Sequence, residues 1–235
     1  MNKRIGIVAW ATGANSFGTT TPYVDFFSNF GIVELIMPNE IEIRKDLDLL
    51  VLPGGPDVDT SRYLDHGTPL SFYIGKTCPF RERFDKVLLP KYIENRTPIF
   101  GICRGHQTLA VEFGGKLVQD MWQSGLGHET NGEDRTKLVH SVLVDEKEYT
   151  TATNGYTSNK VFDINSIHHQ CLDSEFLPKT ATILATYSNR SGMIKDGVVE
   201  AVTYEPHYPA HTVQWHPEEI RDRFSVNLIS NLLKL

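Results

Sequence analysis

Pro98-Ile99-Phe100-Gly101-Ile102-Cys103-Arg104-Gly105-His106-Gln107 joins an apolar strand directly to the start of a helix. Residues 98–102 have the β-prone composition of a buried strand, and residues 105–113 are helical in pattern until Gly114-Gly115 stops them. Cys103 stands at the junction with a glycine two positions away on each side. This is the G-x-nucleophile-x-G layout of a strained elbow, in which the glycines let neighbouring backbone approach and the central side chain is pushed into the open. A cysteine there faces the positive end of the helix dipole, which favours a nucleophilic thiolate. The competing reading is a small buried hydrophobe, the usual fate of a free cysteine. Cys78 and Cys171 have no such frame and read as structural.

Upstream of the elbow, short apolar runs alternate with amphipathic stretches, the pattern of successive βα units around a parallel sheet. Ile5 to Trp10, Ile32 to Met37 and Leu47 to Leu52 read as strands, and Ala11 to Thr21 as a loop. Pro22 fits the first turn of a helix whose Tyr23, Phe26, Phe27 and Phe30 form a core stripe, with Gly31 placed to cap it. Residues 60–79 lack periodicity and read as a long surface excursion, and Arg81 to Asn95 as one helix. Downstream, β-prone segments at Leu138–Val144, Ala181–Tyr187, Val198–Tyr204 and Thr212–Trp215 read as antiparallel additions to the sheet, and Phe224–Leu233 as an amphipathic helix. No repeat or linker divides the chain, so residues 1–235 read as one domain.

Bulk composition narrows the class. The 235 residues are 40% hydrophobic and 22% charged, enough to bury a core, which excludes a disordered chain or a fibre. A formal charge of −6 repels phosphate backbones and anionic lipid, so neither nucleic acid nor membrane is expected as a partner. Three cysteines without CxxC spacing fit neither a disulfide scaffold nor a zinc site, and a reducing cytoplasm is expected. RIGIVAW at residues 4–10 reads as a strand, not as a signal-peptide core, and no apolar run reaches the ~18–20 residues of a membrane span.

A cysteine nucleophile needs a base, and the base an orienting group. Thr212-Val213-Gln214-Trp215-His216-Pro217-Glu218-Glu219 offers both: a strand ending at His216, with Glu218 just across a proline and Glu219 as a second candidate acid. Acyl transfer also needs donors for the oxyanion. Leu52-Pro53-Gly54-Gly55-Pro56-Asp57 is a strand followed by a glycine turn able to present a backbone N–H, with the Arg104 N–H as second donor; as a bare pattern the turn is equally an ordinary loop.

These motifs, in the order LPGGPDVD (52–59), GICRGHQ (101–107), INSIHHQ (164–170) and VQWHPEE (213–219), resemble the class I glutamine amidotransferase-like family. Within it they resemble the gamma-glutamyl-gamma-aminobutyrate hydrolase-like peptidase branch. The resemblance implies an α/β flavodoxin-like three-layer sandwich, with a central mostly parallel sheet and antiparallel additions in the C-terminal half. It implies Cys103 as nucleophile, His216 as base, Glu218 as its partner, Gly55 and Arg104 as oxyanion-hole amides, and Gln107 as the holder of a glutamyl head group. Ser166 and His169 are pocket candidates by the same resemblance. The implied reaction cleaves a γ-glutamyl amide through a glutamyl-thioester and needs no cofactor.

Arg104 matches the peptidases and His106 the glutaminases, whose subunits pass ammonia to a synthetase partner, so a partner-dependent glutaminase stays as the alternative; a homo-oligomer is also left open. Adjacent His168 and His169 on an extended segment point to opposite sides with no third ligand nearby, which argues against a metal. Residues 60–79, with Tyr63, Phe72 and Tyr73, and residues 122–135, with Trp122 and His128, read as the rim that selects the amine.

Overall fold

The computed structural model describes residues 2–13, 16–127, 130–188 and 194–235. The first half contains β1 (Arg4–Val8), β2 (Trp10–Gly13), β3 (Ser16–Gly18), α1 (Thr21–Phe27), β4 (Ile32–Ile36), β5 (Leu49–Leu52), α2 (Pro79–Val87), α3 (Leu89–Glu94), β6 (Ile99–Ile102) and α4 (Arg104–Glu112). The second half contains β7 (Leu117–Val118), β8 (His140–Val144), α5 (Glu146–Ala152), β9 (Val161–Ile164), β10 (Cys171–Leu172), β11 (Thr182–Ser188), β12 (Ile194–Thr203), β13 (Ala210–Val213), α6 (Pro217–Ile220) and α7 (Arg223–Leu233).

Nine strands from both halves form one sheet in the order β4-β1-β5-β6-β13-β12-β11-β8-β9. From β4 to β13 the neighbours are parallel, and from β13 to β9 they are antiparallel. β5, inside the parallel half, is covered on both faces, which is why it is continuously apolar: Leu49, Leu50, Val51 and Leu52 are all fully buried. Their side chains alternate between two cores. Ile5, Ile7, Leu49, Val51, Phe100 and Ile102 pack with residues of α1, α5 and α7. Val8, Leu50, Leu52 and Ile99 pack with residues of α2, α3 and α4 on the other face. The result is a three-layer α/β sandwich with a large central sheet, parallel on one side and antiparallel on the other, as the sequence implies.

Register decides where chemistry can occur. Gly101 of β6 lies opposite Leu52 of β5 and Thr212 of β13, so three adjacent parallel strands end level with one another. The glycine turn after β5, Cys103 after β6 and His216 after β13 therefore emerge together at the carboxyl edge of the sheet, where ligands bind in open α/β folds.

Several local readings change. Thr212–Trp215 is not a purely antiparallel addition: β13 runs parallel to β6 and antiparallel to β12, and so stands where the two halves of the sheet meet. The expected loop at 11–21 holds the β2–β3 hairpin and the start of α1. The helix expected over 81–95 is two, divided at Leu88, because Pro90 lacks an N–H and fits only in the first turn of a new helix. Gly31 does not cap α1, which ends at Phe27; a Cβ at position 31 would lie 2.3 Å from the Lys3 carbonyl oxygen, so its role is close approach to β1. The core stripe holds, with Tyr23, Phe26 and Phe27 buried.

Candidate active site

Cys103 has φ 51° and ψ −103°, a backbone conformation a non-glycine residue rarely adopts, and it serves as the N-cap of α4. Its N–H donates to Val213 O at 2.8 Å, and its carbonyl accepts from Gln107 N–H at 3.2 Å, which ties the turn to β13 and to the first helical turn. Both flanking glycines are required by space. A Cβ on Gly105 would sit 1.9 Å from Leu52 O, and one on Gly101 would sit 2.7 Å from Thr212 Cγ2. The Leu52 backbone on one side and the Thr212 side chain on the other close on the elbow, leaving Cys103 at the floor of a cleft.

His216 caps α6, and its Nδ1 lies 2.6 Å from Glu218 Oε1. Burial pulls the imidazole pKa down, but the Glu218 carboxylate and the charge and hydrogen bond of Cys103 outweigh it, and the net effect is a rise to about 10. Glu219, the second candidate acid, instead accepts from Arg135 Nε at 2.7 Å. The Arg135 guanidinium also lies 3.9 Å from Glu218 Oε1 and 3.3 Å from His216 Nδ1, over the imidazole–carboxylate pair. Asn165 fixes the histidine's backbone in both directions, accepting from His216 N–H at 2.9 Å and donating to His216 O at 3.1 Å.

The glycine turn is pinned from two sides. Gly54 N–H donates to the Tyr23 hydroxyl at 2.9 Å, while Arg81 donates through Nη2 to Pro53 O at 3.1 Å and through Nη1 to Gly54 O at 3.3 Å. Gly54 also packs against the site, since a Cβ there would meet His216 Cε1 at 2.8 Å. The Arg104 side chain points away from the cleft and binds Glu82 at 2.7 Å and Asp85 at 2.8 Å. The backbone N–H of Arg104 is among the first of α4, which have no carbonyl partner within the helix. His106 is buried beneath the sheet with Nδ1 2.7 Å from Thr212 Oγ1, and burial lowers its pKa to about 4.

Two cavities share Gly55, Cys103 and Ile167. The larger, of about 360 Å³, is lined by Trp10, Thr20, Tyr23, Arg135 and His216. The smaller, of about 50 Å³, is lined by Asp57, Gln107 and residues 168–170. Gln107 reaches its edge with Nε2 donating to Gln170 O at 3.0 Å and to Gln214 Oε1 at 3.1 Å. His169 Nε2 lies 2.9 Å from Asp57 Oδ2, with the Tyr73 ring edge-on 4.7 Å away. His168 borders the same small cavity as His169, not the opposite side that simple alternation predicts, and its Nδ1 lies 2.9 Å from Gln170 O.

Ser166 is brought to neither cavity. It is fully buried, and its backbone is bonded in both directions to Asn131. Tyr63 is likewise no rim residue: it is buried and accepts from Gln170 Nε2 at 3.2 Å. Phe72, Tyr73 and Trp122 are exposed, and His128 lies outside the described residues. No cluster of metal-ligating side chains occurs among the described residues.

Sequence reasoning does not single out Arg81, Asn165 or Arg135. Asn165 has a signal, since it lies inside the INSIHHQ block; Arg81 and Arg135 are ordinary basic residues until the fold brings them to the turn and the histidine.

A thiol, an imidazole and a carboxylate gathered at the carboxyl edge of a parallel sheet, behind a strained elbow, characterise the class I glutamine amidotransferase fold. Solved structures agree on that fold. A GMP synthase protein of Thermoplasma acidophilum superposes with a TM-score of 0.66 at 18% identity, over 100% of this chain and 94% of that one. A glutamine amidotransferase of Thermotoga maritima gives a TM-score of 0.57 at 15% identity, over 98% and 82%.

The chain belongs to the Peptidase C26 family, whose model matches residues 8–218. Among curated relatives, a glutamine amidotransferase-like protein (YvdE) of Lactococcus lactis is 34% identical over 85% of this chain and 80% of that protein. The gamma-glutamyl-gamma-aminobutyrate hydrolase PuuD of Escherichia coli K12 is 27% identical over 97% and 90%.

Proposed function

We propose that this chain, acting as one domain over residues 1–235, hydrolyses the γ-glutamyl amide bond of a γ-glutamyl-amine through a glutamyl-thioester. Family membership and relatives named gamma-glutamyl-gamma-aminobutyrate hydrolase make it a glutamine amidotransferase-like hydrolase of γ-glutamyl amide bonds. The single observation that supports the mechanism is Cys103 where the two cavities meet, with His216 lining the larger one and backed by Glu218 at 2.6 Å.

In this reading the γ-glutamyl group enters the small cavity beside Gln107 and the amine occupies the larger one beside His216. The Cys103 thiolate attacks the γ-carbonyl carbon, and the C=O electron pair moves onto oxygen, facing the N–H groups of Gly55 and Arg104. As the tetrahedral intermediate collapses, the C–N bond breaks and His216 delivers a proton to the departing amine. His216 then removes a proton from water, which attacks the thioester; glutamate leaves and the thiolate returns. Glu218 keeps Nδ1 protonated and balances the imidazolium. His169, held by Asp57, borders the glutamyl cavity and is assigned to substrate contact.

The decisive assay is amine release from γ-glutamyl conjugates by the purified chain alone, detected by mass spectrometry. Turnover without any added protein supports the hydrolase. Turnover of glutamine that rises only on adding a synthetase partner overturns it in favour of a partner-dependent glutaminase.

A further inference from the structure

Arg81 is fully buried in α2, yet none of its nitrogens lies within ion-pairing distance of a carboxylate among the described residues. The nearby acids are engaged elsewhere: Glu82 and Asp85 bind Arg104, and Asp85 also binds Arg62 at 3.2 Å. Arg81 directs its two terminal nitrogens to Pro53 O and Gly54 O, and its Nε has no partner among the described residues. Burial, followed by the charge of Arg104, lowers its pKa to about 10, so it is a cation at neutral pH. A cation buried against two carbonyl oxygens rather than a carboxylate is costly to maintain, and its expense needs a reason.

The reason lies in peptide geometry. The Gly54 carbonyl and the Gly55 N–H belong to one planar peptide and point in opposite directions. Between two glycines that plane is otherwise nearly free to turn, and Gly55 has φ +154°. Holding the carbonyl from behind therefore aims the N–H at the cleft, and a positive charge on the oxygen strengthens the amide as a donor.

We propose that Arg81 is a positioning residue for the oxyanion hole, acting through the Gly54–Gly55 peptide without touching substrate. The inference rests on the reading of Gly55 as an oxyanion donor. Donors of this kind act in the transition state, so losing Arg81 lowers kcat and leaves KM and the thiol's own reactivity alone.

The test compares the parent with Arg81→Met and Arg81→Lys in three measurements: steady-state hydrolysis of a γ-glutamyl amide, inhibition by the corresponding γ-glutamyl aldehyde, and alkylation of Cys103 by iodoacetamide. The aldehyde adds to the thiol and places an oxyanion in the hole, whereas alkylation needs no hole. For Arg81→Met the expected result is a kcat loss on the order of 10²-fold, an equal loss of aldehyde affinity, and KM and alkylation rate within threefold of parent. Arg81→Lys keeps the charge but cannot span both carbonyls, so it falls between, about tenfold down; it carries the comparison if the methionine variant does not fold. The proposal is overturned if kcat and aldehyde affinity stay within threefold of parent in a folded variant, or if alkylation slows in step with kcat. A parent inactive on every γ-glutamyl amide would instead sink the functional reading above, and this inference with it.

Discussion

His216 Nδ1 meets Glu218 Oε1 at 2.6 Å across a single intervening proline, while Glu219, the next residue, is turned to Arg135. Pro217 opens α6 directly after the histidine, and this short helix sends consecutive carboxylates in different directions. Glu218→Gln is expected to lower kcat by about 10³–10⁴-fold, as loss of the carboxylate that sets a histidine's tautomer does elsewhere. Glu219→Gln is expected to cost less than about tenfold, because a partly exposed ion pair contributes little. Steady-state kinetics on both variants decide it, and equal losses would remove the distinction.

Cys103→Ala is expected to abolish turnover, by at least ~10⁴-fold, while Cys78→Ala and Cys171→Ala keep it. Burial pushes the Cys171 thiol up to about 12, so it stays protonated and unreactive at neutral pH. Mass mapping after limited alkylation checks the same point: the first label should fall on Cys103.

Asn165→Ala removes the side chain that satisfies both backbone groups of His216. Stranding them in a buried site is expected to cost about 1–3 kcal/mol of stability and to lower kcat through misplacement of the imidazole. Denaturant unfolding and kinetics measured together test this; an unchanged kcat would mean that the proline and α6 alone hold the base.

Acid should destabilise the fold through its buried neutral histidines. Burial lowers His106 and His211 to about 4, below the ordinary value near 6.5 that the unfolded chain regains. Between those values the unfolded chain binds more protons, so stability is full above about 6.5 and falls as the pH drops toward 4. His216 runs oppositely: raised to about 10, it contributes most below 6.5 and its contribution fades as the pH rises through 10. Unfolding free energies between pH 4 and 7 should fall with acid, and His211→Gln should reduce that slope by up to about 1.4 kcal/mol per pH unit.

Gly105→Ala should fail to assemble the elbow. Its methyl would meet a backbone oxygen of β5 at 1.9 Å, and no rotamer change relieves a clash with main chain. Soluble expression with normal activity would contradict the required approach of α4 to β5.

The parallel half of the sheet is legible because its strands are short apolar runs with amphipathic segments between them, and the elbow because two glycines frame a cysteine. What escapes depends on long-range contact. β9 and α5 carry weak local patterns and are stabilised by neighbours: Ile164 of β9 and Tyr149 of α5 enter the same core as Phe224. The β2–β3 hairpin is rich in Gly, Ser and Thr, which read as loop. Ser166 shares a motif with pocket residues, yet it is fully buried and borders neither cavity, while Ile167 beside it borders both. Arg81 and Arg135 act through partners 27 and 81 positions distant, and nothing in their own surroundings marks them.

The level ending of β5, β6 and β13 also sets an order of events. The thiol and the glycine turn beside it come from residues 54–104, but the imidazole follows more than a hundred residues later, just after a strand that must insert between β6 and β12. During synthesis the chain carries Cys103 before His216 exists, and on the proposed mechanism the cleft gains hydrolytic power only when β13 completes the sheet. Reactivity is thereby tied to completion of the fold, and a chain interrupted before residue 216 would display a thiol with no means of turning over an amide.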